Sequence, residues 1–153
     1  MPDAEGDEIM VTAERVAKTL GTSRALRRKG ITAEELQAQV RTGLPYSALE
    51  AVASGFQIGM GDLITLLHVP ARTLARRKRQ KRLRADESDR LFRLGRIAAL
   101  AEEVLGNRER AIGWLHQPNR ALGNAVPLRQ LDTELGARQV EDLLLRIAHG
   151  VYS

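Results

Sequence analysis

Apolar residues recur every three or four positions along almost the whole chain, and no stretch alternates apolar and polar residues for long enough to predict a strand. The longest such pattern places one apolar face on a helix that ends near Gly106. Asp86 or Ser88 stands where the N-cap of this helix is expected. The face consists of Leu91, Leu94, Ile97, Ala98, Ala101, Val104 and Leu105. The pattern predicts an all-α fold.

Capping residues divide the remaining sequence into shorter helices. Thr32, followed by Glu35 three positions later, has the spacing of a capping box, and Gly43 marks the end of that helix. Thr12 and Thr133 are the expected N-caps of an early helix and of the last one. The predicted shorter helices, with their caps, cover residues 12–21, 22–30, 32–43, 45–55, 62–69, 107–117, 127–131 and 133–149. No segment repeats another, so a helical repeat protein is not expected.

Composition limits the class of protein. The chain has 153 residues, 43% of them hydrophobic, which is enough for a core. It contains no cysteine, so disulfides and thiolate chemistry are excluded. No apolar run is long enough to predict a membrane span, and the acidic N-terminus lacks the apolar segment of a secretory signal. We therefore expect a cytoplasmic protein.

Charge is distributed unevenly along the chain. There are 24 Lys and Arg against 19 Asp and Glu, a net charge of +5. Residues 1–10 are acidic and are expected to form a flexible tail. A basic run without any acid consists of Arg72, Arg76, Arg77, Lys78, Arg79, Lys81, Arg82 and Arg84. Such a concentration of positive charge favours a polyanionic partner, although a charge run alone is also typical of a solvated surface.

The segment before the basic run has the pattern of a helix-turn-helix. Two short helical segments flank a turn at residues 68–70, and Pro70 is acceptable in the first turn of the second helix. His68 occupies a turn position that is commonly glycine in such units. The small core that the two helices must share is expected to contain Leu63, Leu67, Val69 and Leu74. These positions predict a helix-turn-helix DNA-binding domain over residues 11–86.

If Leu74 faces inward, the cations of the second helix lie on its outer and flanking surfaces. Residues near the start of such a helix can reach base edges, where an arginine fork can pair with O6 and N7 of guanine. The predicted residues on these surfaces are Arg72, Thr73, Arg76, Arg77 and Arg79; the predicted phosphate contacts are Lys78, Lys81, Arg82 and Arg84. One short helix touches too few base pairs to be selective, so we expect a homodimer on double-stranded operator DNA.

Residues 111–153 contain a dense set of fixed spacings. The set consists of Trp114, Leu115, Pro118, Asn119, Leu122, Gly123, Pro127, Leu128, Thr133, Gly136, Ala137, Val140, Leu143, Leu144, Gly150, Val151 and Tyr152. Packing and turn formation account for many of these positions: Trp114 and Leu115 are expected in the core, and Asn119 and Gly123 in turns that allow positive φ. Taken together, the spacings resemble the C-terminal toxin-binding region of the Xre-type antitoxins that partner RES-domain toxins in type II toxin-antitoxin systems.

The resemblance implies that residues 87–153 form a small helical toxin-binding domain. In that family, this region packs on the toxin and obstructs the pocket in which the toxin binds the NAD that it degrades. The expected partner is therefore a RES-domain toxin within a larger hetero-oligomer, and the chain is expected to repress its own operon. By this resemblance, the toxin-binding residues are Leu144, Arg146, Ile147, Gly150, Val151, Tyr152 and Ser153.

No residue set predicts an enzyme. His68, His116 and His149 are scattered without the spacing of metal ligands. Glu102 and Glu103 are neighbours on a helix and diverge by about 100°, so they do not converge on a substrate. We expect no catalytic residue, metal or cofactor. The sequence leaves one alternative to the antitoxin function open, which is a stand-alone helix-turn-helix regulator whose C-terminal helices only dimerise.

Overall fold

A computed structural model describes residues 12–21 and 31–150 of the chain. Within these ranges the α-helices are α1 (Ala13–Thr19), α2 (Ala33–Thr42), α3 (Tyr46–Gly55), α4 (Met60–Leu67), α5 (Ala71–Gln80), α6 (Ala85–Leu105), α7 (Arg108–His116) and α8 (Glu134–Ala148). Two 3-10 helices, η1 (Arg120–Leu122) and η2 (Pro127–Asp132), lie between α7 and α8. The predicted all-α fold is confirmed. The predicted acidic tail at residues 1–10 and the predicted helix at residues 22–30 lie outside the described residues.

Side-chain caps start several of these helices where the sequence predicted them. The hydroxyl of Thr12 accepts from the Arg15 amide at 3.1 Å, and that of Thr133 accepts from the Gly136 amide at 3.0 Å. Thr32 and Glu35 form the predicted capping box, with both reciprocal hydrogen bonds present. Each cap satisfies a backbone N–H that has no partner within its own helix, so these residues fix where α1, α2 and α8 begin.

The predicted N-cap of α6 is wrong. The helix begins at Ala85, so Asp86 and Ser88 both lie inside its first turns. The Glu87 carboxylate instead accepts from the backbone N–H of Arg84 at 2.9 Å. The Ser88 hydroxyl is buried and accepts from the Leu44 N–H at 2.8 Å, which ties the start of α6 to the segment between α2 and α3.

Helix α6 is the centre of the fold. It packs against α1, α2 and α4 from the first part of the chain and against α7 and α8 from the last. Five residues of the predicted face are buried, and Val104 and Leu105 are partly buried. Gly95, Ala99 and Leu100 are buried as well, because neighbours cover more than one face of the helix. A Cβ on Gly95 would meet Leu20 Cδ2 at 2.9 Å, so the glycine allows α1 to approach closely.

A tight turn between α7 and η2 contains the predicted turn residues. Gly123 has a φ of 65°, as the sequence predicted, whereas Asn119 has a φ of −124° and is extended. The Asn119 side chain instead caps η1 by accepting from the Ala121 N–H at 2.9 Å, and Asn124 takes the second positive φ. Leu115 is buried, as predicted, and Trp114 is partly buried against the same core.

Among the described residues, no helix is both long enough and apolar enough to span a membrane.

Gly136 in the first turn of α8 offers a test of how closely α8 packs against η2. A Cβ at Gly136 would lie 1.9 Å from the Gln130 carbonyl oxygen, whereas a Cβ at Gly113 in α7 would meet no atom within 4 Å. Gly136→Ala should therefore lower the free energy of unfolding by about 1–3 kcal/mol through overpacking. The control Gly113→Ala should raise it by about 0.5–1 kcal/mol because alanine favours the helix. Urea denaturation measures both, and equal effects of the two substitutions would show that α8 does not approach η2 this closely.

Candidate DNA-binding and partner-binding surfaces

Helices α4 and α5 form the predicted helix-turn-helix. Leu63, Leu67, Val69 and Leu74 are all buried, which confirms the predicted core of this unit. His68 ends α4 in the left-handed conformation, with φ 56° and ψ 41°. Pro70 is the N-cap of α5 and precedes its first turn. The buried leucines orient α5 so that its opposite face points to solvent.

That outer face of α5 carries most of the predicted DNA-binding residues. Arg72, Arg76, Lys78 and Arg79 are exposed, and Thr73 is half-buried at the edge of the face. None of the four cations makes an ion pair with another described residue. The four charges are therefore available to a polyanion.

The basic run continues past the end of α5. Lys81 ends the helix with a φ of 63°, and Arg82 pairs in an isolated bridge with Pro45. The Arg82 guanidinium donates to the Gly43 carbonyl at 2.9 Å, although the side chain remains exposed. A Cβ on Gly43 would lie 2.3 Å from the Leu83 carbonyl oxygen, so only glycine allows this contact. The run from Lys81 to Leu83 is thus fixed in place beside α5.

Arg77 does not lie with the other cations, and the predicted placement of this residue on the surface is wrong. Its side chain is 4% exposed. The guanidinium donates from Nε to Glu87 Oε1 at 2.8 Å and from Nη2 to Glu87 Oε2 at 3.0 Å. Arg77 follows Leu74 by three residues, so the helical period turns both side chains inward. We therefore remove Arg77 from the candidate DNA contacts.

Formation of the buried pair shifts the pKa of both partners. Burial favours the neutral form of Glu87, but the hydrogen bonds from Arg77 and from the Arg84 N–H outweigh it and lower the pKa of this carboxyl. The hydrogen bond to Glu87 raises the pKa of Arg77. Both groups are therefore charged at neutral pH, and each carboxylate oxygen is satisfied. The pair joins α5 to the first turn of α6.

The predicted partner-binding residues at the other end of the chain divide into three sets. Leu144 has no exposed surface because it packs in the core, so we remove it from the candidate contacts. Arg146 and Gly150 are exposed, and Ile147 is half-buried. Val151, Tyr152 and Ser153 lie outside the described residues.

A polar cleft lies beside Arg146. Its volume is about 370 Å³, and it is formed by Ala121 and Leu122 of η1 with Gln139, Asp142 and Arg146 of α8. The cleft is open to solvent, and its lining offers a guanidinium, an amide and a carboxylate. Such a surface can pair with polar side chains of another protein but has no enclosed space for a small ligand.

Two of the three histidines, His68 and His116, have structural partners. His116 Nε2 lies 2.9 Å from the Phe56 carbonyl oxygen, and His68 Nε2 lies 2.6 Å from that of Asp132. No group of metal-binding side chains occurs among the residues that the structure describes. Neither the role of Glu87 nor the bond made by His68 was predicted from the sequence. A histidine at a usual glycine position was the signal available for the second.

Comparison with known proteins assigns the two parts of this architecture. Residues 35–96 match the model of the antitoxin Xre-like helix-turn-helix domain, and residues 100–150 match that of the antitoxin Xre/MbcA/ParS C-terminal toxin-binding domain. A protein named Antitoxin Xre from Photorhabdus laumondii is 34% identical over 120 residues, which are 77% of this chain and 81% of that protein. The chain belongs to the Xre antitoxin family.

Two further relatives of this antitoxin carry the same name. The protein from Yersinia enterocolitica is 31% identical over 116 residues, covering 74% of this chain and 78% of the relative. The protein from Pseudomonas putida is 45% identical over 83 residues, covering 54% and 52%. The chain is thus a type II antitoxin with a helix-turn-helix domain and a toxin-binding domain. The two domain matches, at residues 35–96 and 100–150, both extend into α6, the helix that packs against both parts of the chain.

The buried pair predicts opposite roles for two neighbouring arginines of the antitoxin. Arg77→Ala would leave the Glu87 carboxylate buried without its partner, so the free energy of unfolding at pH 7 should fall by about 3–5 kcal/mol. Arg76→Ala removes an exposed cation and should change it by less than about 0.5 kcal/mol. Denaturant unfolding of both variants measures the difference.

The difference in the free energy of unfolding between the wild type and Arg77→Ala should depend on pH in a defined direction. Because the folded-state pKa of Glu87 is lowered, the pair stabilises the wild type fully above the ordinary carboxyl range and loses this contribution as the pH falls through the lowered pKa. The gap between the wild type and Arg77→Ala should therefore narrow below about pH 4. A gap that stays constant down to pH 2 would contradict an ionised Glu87.

Proposed function

We propose that this antitoxin represses its own operon by binding double-stranded DNA through the outer face of α5, and that it neutralises a RES-domain toxin that degrades NAD. The observation that supports DNA binding is that α5 has a buried inner face and a basic outer face. Leu74 and Arg77 face the interior, while Arg72, Arg76, Lys78 and Arg79 face solvent. In a helix-turn-helix, the outer face of the second helix is the surface that enters the major groove.

The basic residues would divide into two roles. Arg72 and Arg76, in the first turns of α5, would reach base edges, where the arginine fork matches O6 and N7 of guanine. Lys78, Lys81, Arg82 and Arg84 would contact phosphates and supply affinity that does not depend on sequence. Four phosphates neutralised per subunit correspond to a slope of about −3.6 in log affinity against log salt.

The proposed DNA-binding form is a homodimer. Two copies would place their α5 helices about one helical turn of DNA, roughly 34 Å, apart and would favour a palindromic site. The dimer doubles the number of base contacts, which gives selectivity that one ten-residue helix lacks.

Substitutions on α5 should separate specificity from affinity. Arg72→Ala or Arg76→Ala should each reduce the preference for operator over random duplex by about 1–3 kcal/mol, because a base contact is lost. Lys78→Ala should weaken binding to both duplexes alike and make the salt slope shallower by about 0.9 per subunit. Fluorescence anisotropy at several salt concentrations measures both quantities. If all three variants bind like the wild type, DNA does not contact this face.

The toxin part of the proposal rests on the family assignment and on the end of α8. The candidate contacts that remain are Arg146, Ile147, Gly150, Val151, Tyr152 and Ser153. A plug for a ligand pocket needs apolar area with a few polar anchors, and this segment supplies both in its sequence. Arg146 also lines the polar cleft between η1 and α8, which extends the proposed contact surface away from the plug.

Truncation of the last four residues should separate inhibition from folding. Deleting Gly150 to Ser153 leaves the buried side chains of α8 in place, so folding and DNA binding should be unchanged. Protection of the toxin's NAD pocket should be incomplete without the tail. The measurement is NAD consumption by a RES-domain toxin mixed with saturating full-length or truncated chain.

A length-matched control distinguishes the side chains from the mere presence of a tail. In this control the last four residues are replaced by Gly-Ser-Gly-Ser, and it should protect the toxin no better than the truncated chain. If the truncated chain suppresses NAD consumption completely, the last four residues do not obstruct the NAD pocket. If the full chain neither binds nor inhibits such a toxin, the RES assignment is wrong and a different toxin is the partner.

A further inference from the structure

His68 joins the turn of the helix-turn-helix to the toxin-binding domain. Its Nε2 lies 2.6 Å from the carbonyl oxygen of Asp132, the last residue of η2. A carbonyl oxygen only accepts, so Nε2 carries the proton and donates it. His68 lies within residues 35–96 and Asp132 within residues 100–150, so this hydrogen bond links the two matched domains.

The backbone at His68 has a positive φ, which is uncommon for residues other than glycine. With φ 56° and ψ 41°, the residue is in the left-handed region, which glycine adopts without steric cost and other residues adopt with some strain. The chain uses glycine in the same conformation at Gly123, with a φ of 65°. Gln57, Lys81 and Asn124 also have a positive φ, so the feature that distinguishes His68 is its hydrogen bond to Asp132.

Other contacts hold α4 against η2 and α6 along the same junction. The Asp62 carboxylate near the start of α4 lies 3.7 Å from the Arg129 guanidinium of η2. At the other end of α4, Arg90 of α6 donates to the Leu67 carbonyl at 3.2 Å, next to His68. Helix α4 is thus held near its start by Arg129, and the turn that follows it is held by the bond to Asp132.

We infer that His68 is a positioning residue for DNA recognition, because its bond to Asp132 fixes the turn that sets the direction of α5. This inference rests on the proposed function, in which the outer face of α5 binds DNA. Helix α5 starts three residues after His68 and has ten residues, so it is about 15 Å long. A tilt of about 10° at the turn would move its far end by about 2.6 Å, more than a base-edge hydrogen bond tolerates.

Three substitutions at His68 separate the bond from the backbone conformation. His68→Gly relieves the turn and removes the donor. His68→Asn tolerates the left-handed conformation, but its amide nitrogen is one bond closer to the Cα than Nε2 of histidine. His68→Gln places an amide nitrogen at the same number of bonds from the Cα as Nε2, and the chain already holds Gln57 at a φ of 56°. Only the glutamine variant can restore the bond to Asp132.

The expected result is a loss of operator affinity without a loss of fold. Full-length His68→Gly and His68→Asn should bind a duplex spanning the DNA upstream of the chain's own reading frame about twofold to tenfold more weakly, the effect of one hydrogen bond. Their affinity for a random duplex should match the wild type, their thermal midpoints should fall by no more than about 2–4 °C, and His68→Gln should recover operator affinity. Arg129→Ala, which removes the ion pair to Asp62, should lower operator affinity in the same direction.

Arg138→Ala is the matched control, because it removes an exposed ion pair within α8 that does not touch α4 or α5. The inference is overturned if His68→Gly and His68→Asn keep full operator affinity, if His68→Gln fails as they do, or if operator and random duplex lose affinity equally. If the wild type itself does not bind the upstream duplex in preference to a random one, the proposed function fails first and the role of His68 fails with it.

Discussion

The burial of α6 on more than one face is the constraint on which the rest of the structure depends. A helix whose apolar residues lie on more than one face must be covered by several other elements. Here α1, α2 and α4 cover it from the DNA-binding part, and α7 and α8 cover it from the toxin-binding part. Small residues such as Gly95, Ala98 and Ala101 let these helices approach closely. Neither part therefore has a complete core without this helix.

Two polar contacts orient α5 relative to this shared core. The buried Arg77–Glu87 pair fixes α5 to the start of α6, and its value lies in geometry more than in energy, because desolvation of two charges offsets much of their attraction. The bond from His68 to Asp132 fixes the preceding turn to η2. The exposed cations of α5 thus stand on a helix that is held at both ends.

Helical periodicity predicted much of this fold, because burial repeats with the turn of the helix. It placed Leu63, Leu67 and Leu74 in the core, and capping chemistry gave the starts of α1, α2 and α8. The charge pattern was misleading at Arg77, because a buried arginine needs a carboxylate whose position only the folded chain reveals. Leu144 was expected to contact the toxin, but its side chain is buried within the chain itself. The DNA and toxin contacts themselves depend on partners, so sequence and fold lead only to proposals there.

The central claim is that α6 joins the two binding domains into one cooperative unit, and urea unfolding followed by two probes tests it most directly. The fluorescence of Trp114, the single tryptophan of the chain, reports on α7 in the toxin-binding part, while far-UV circular dichroism reports on the helices of both parts. The account predicts that the two curves superimpose, as in a two-state transition. A Trp114 transition that is complete while a large share of the helical signal persists to higher urea would contradict it.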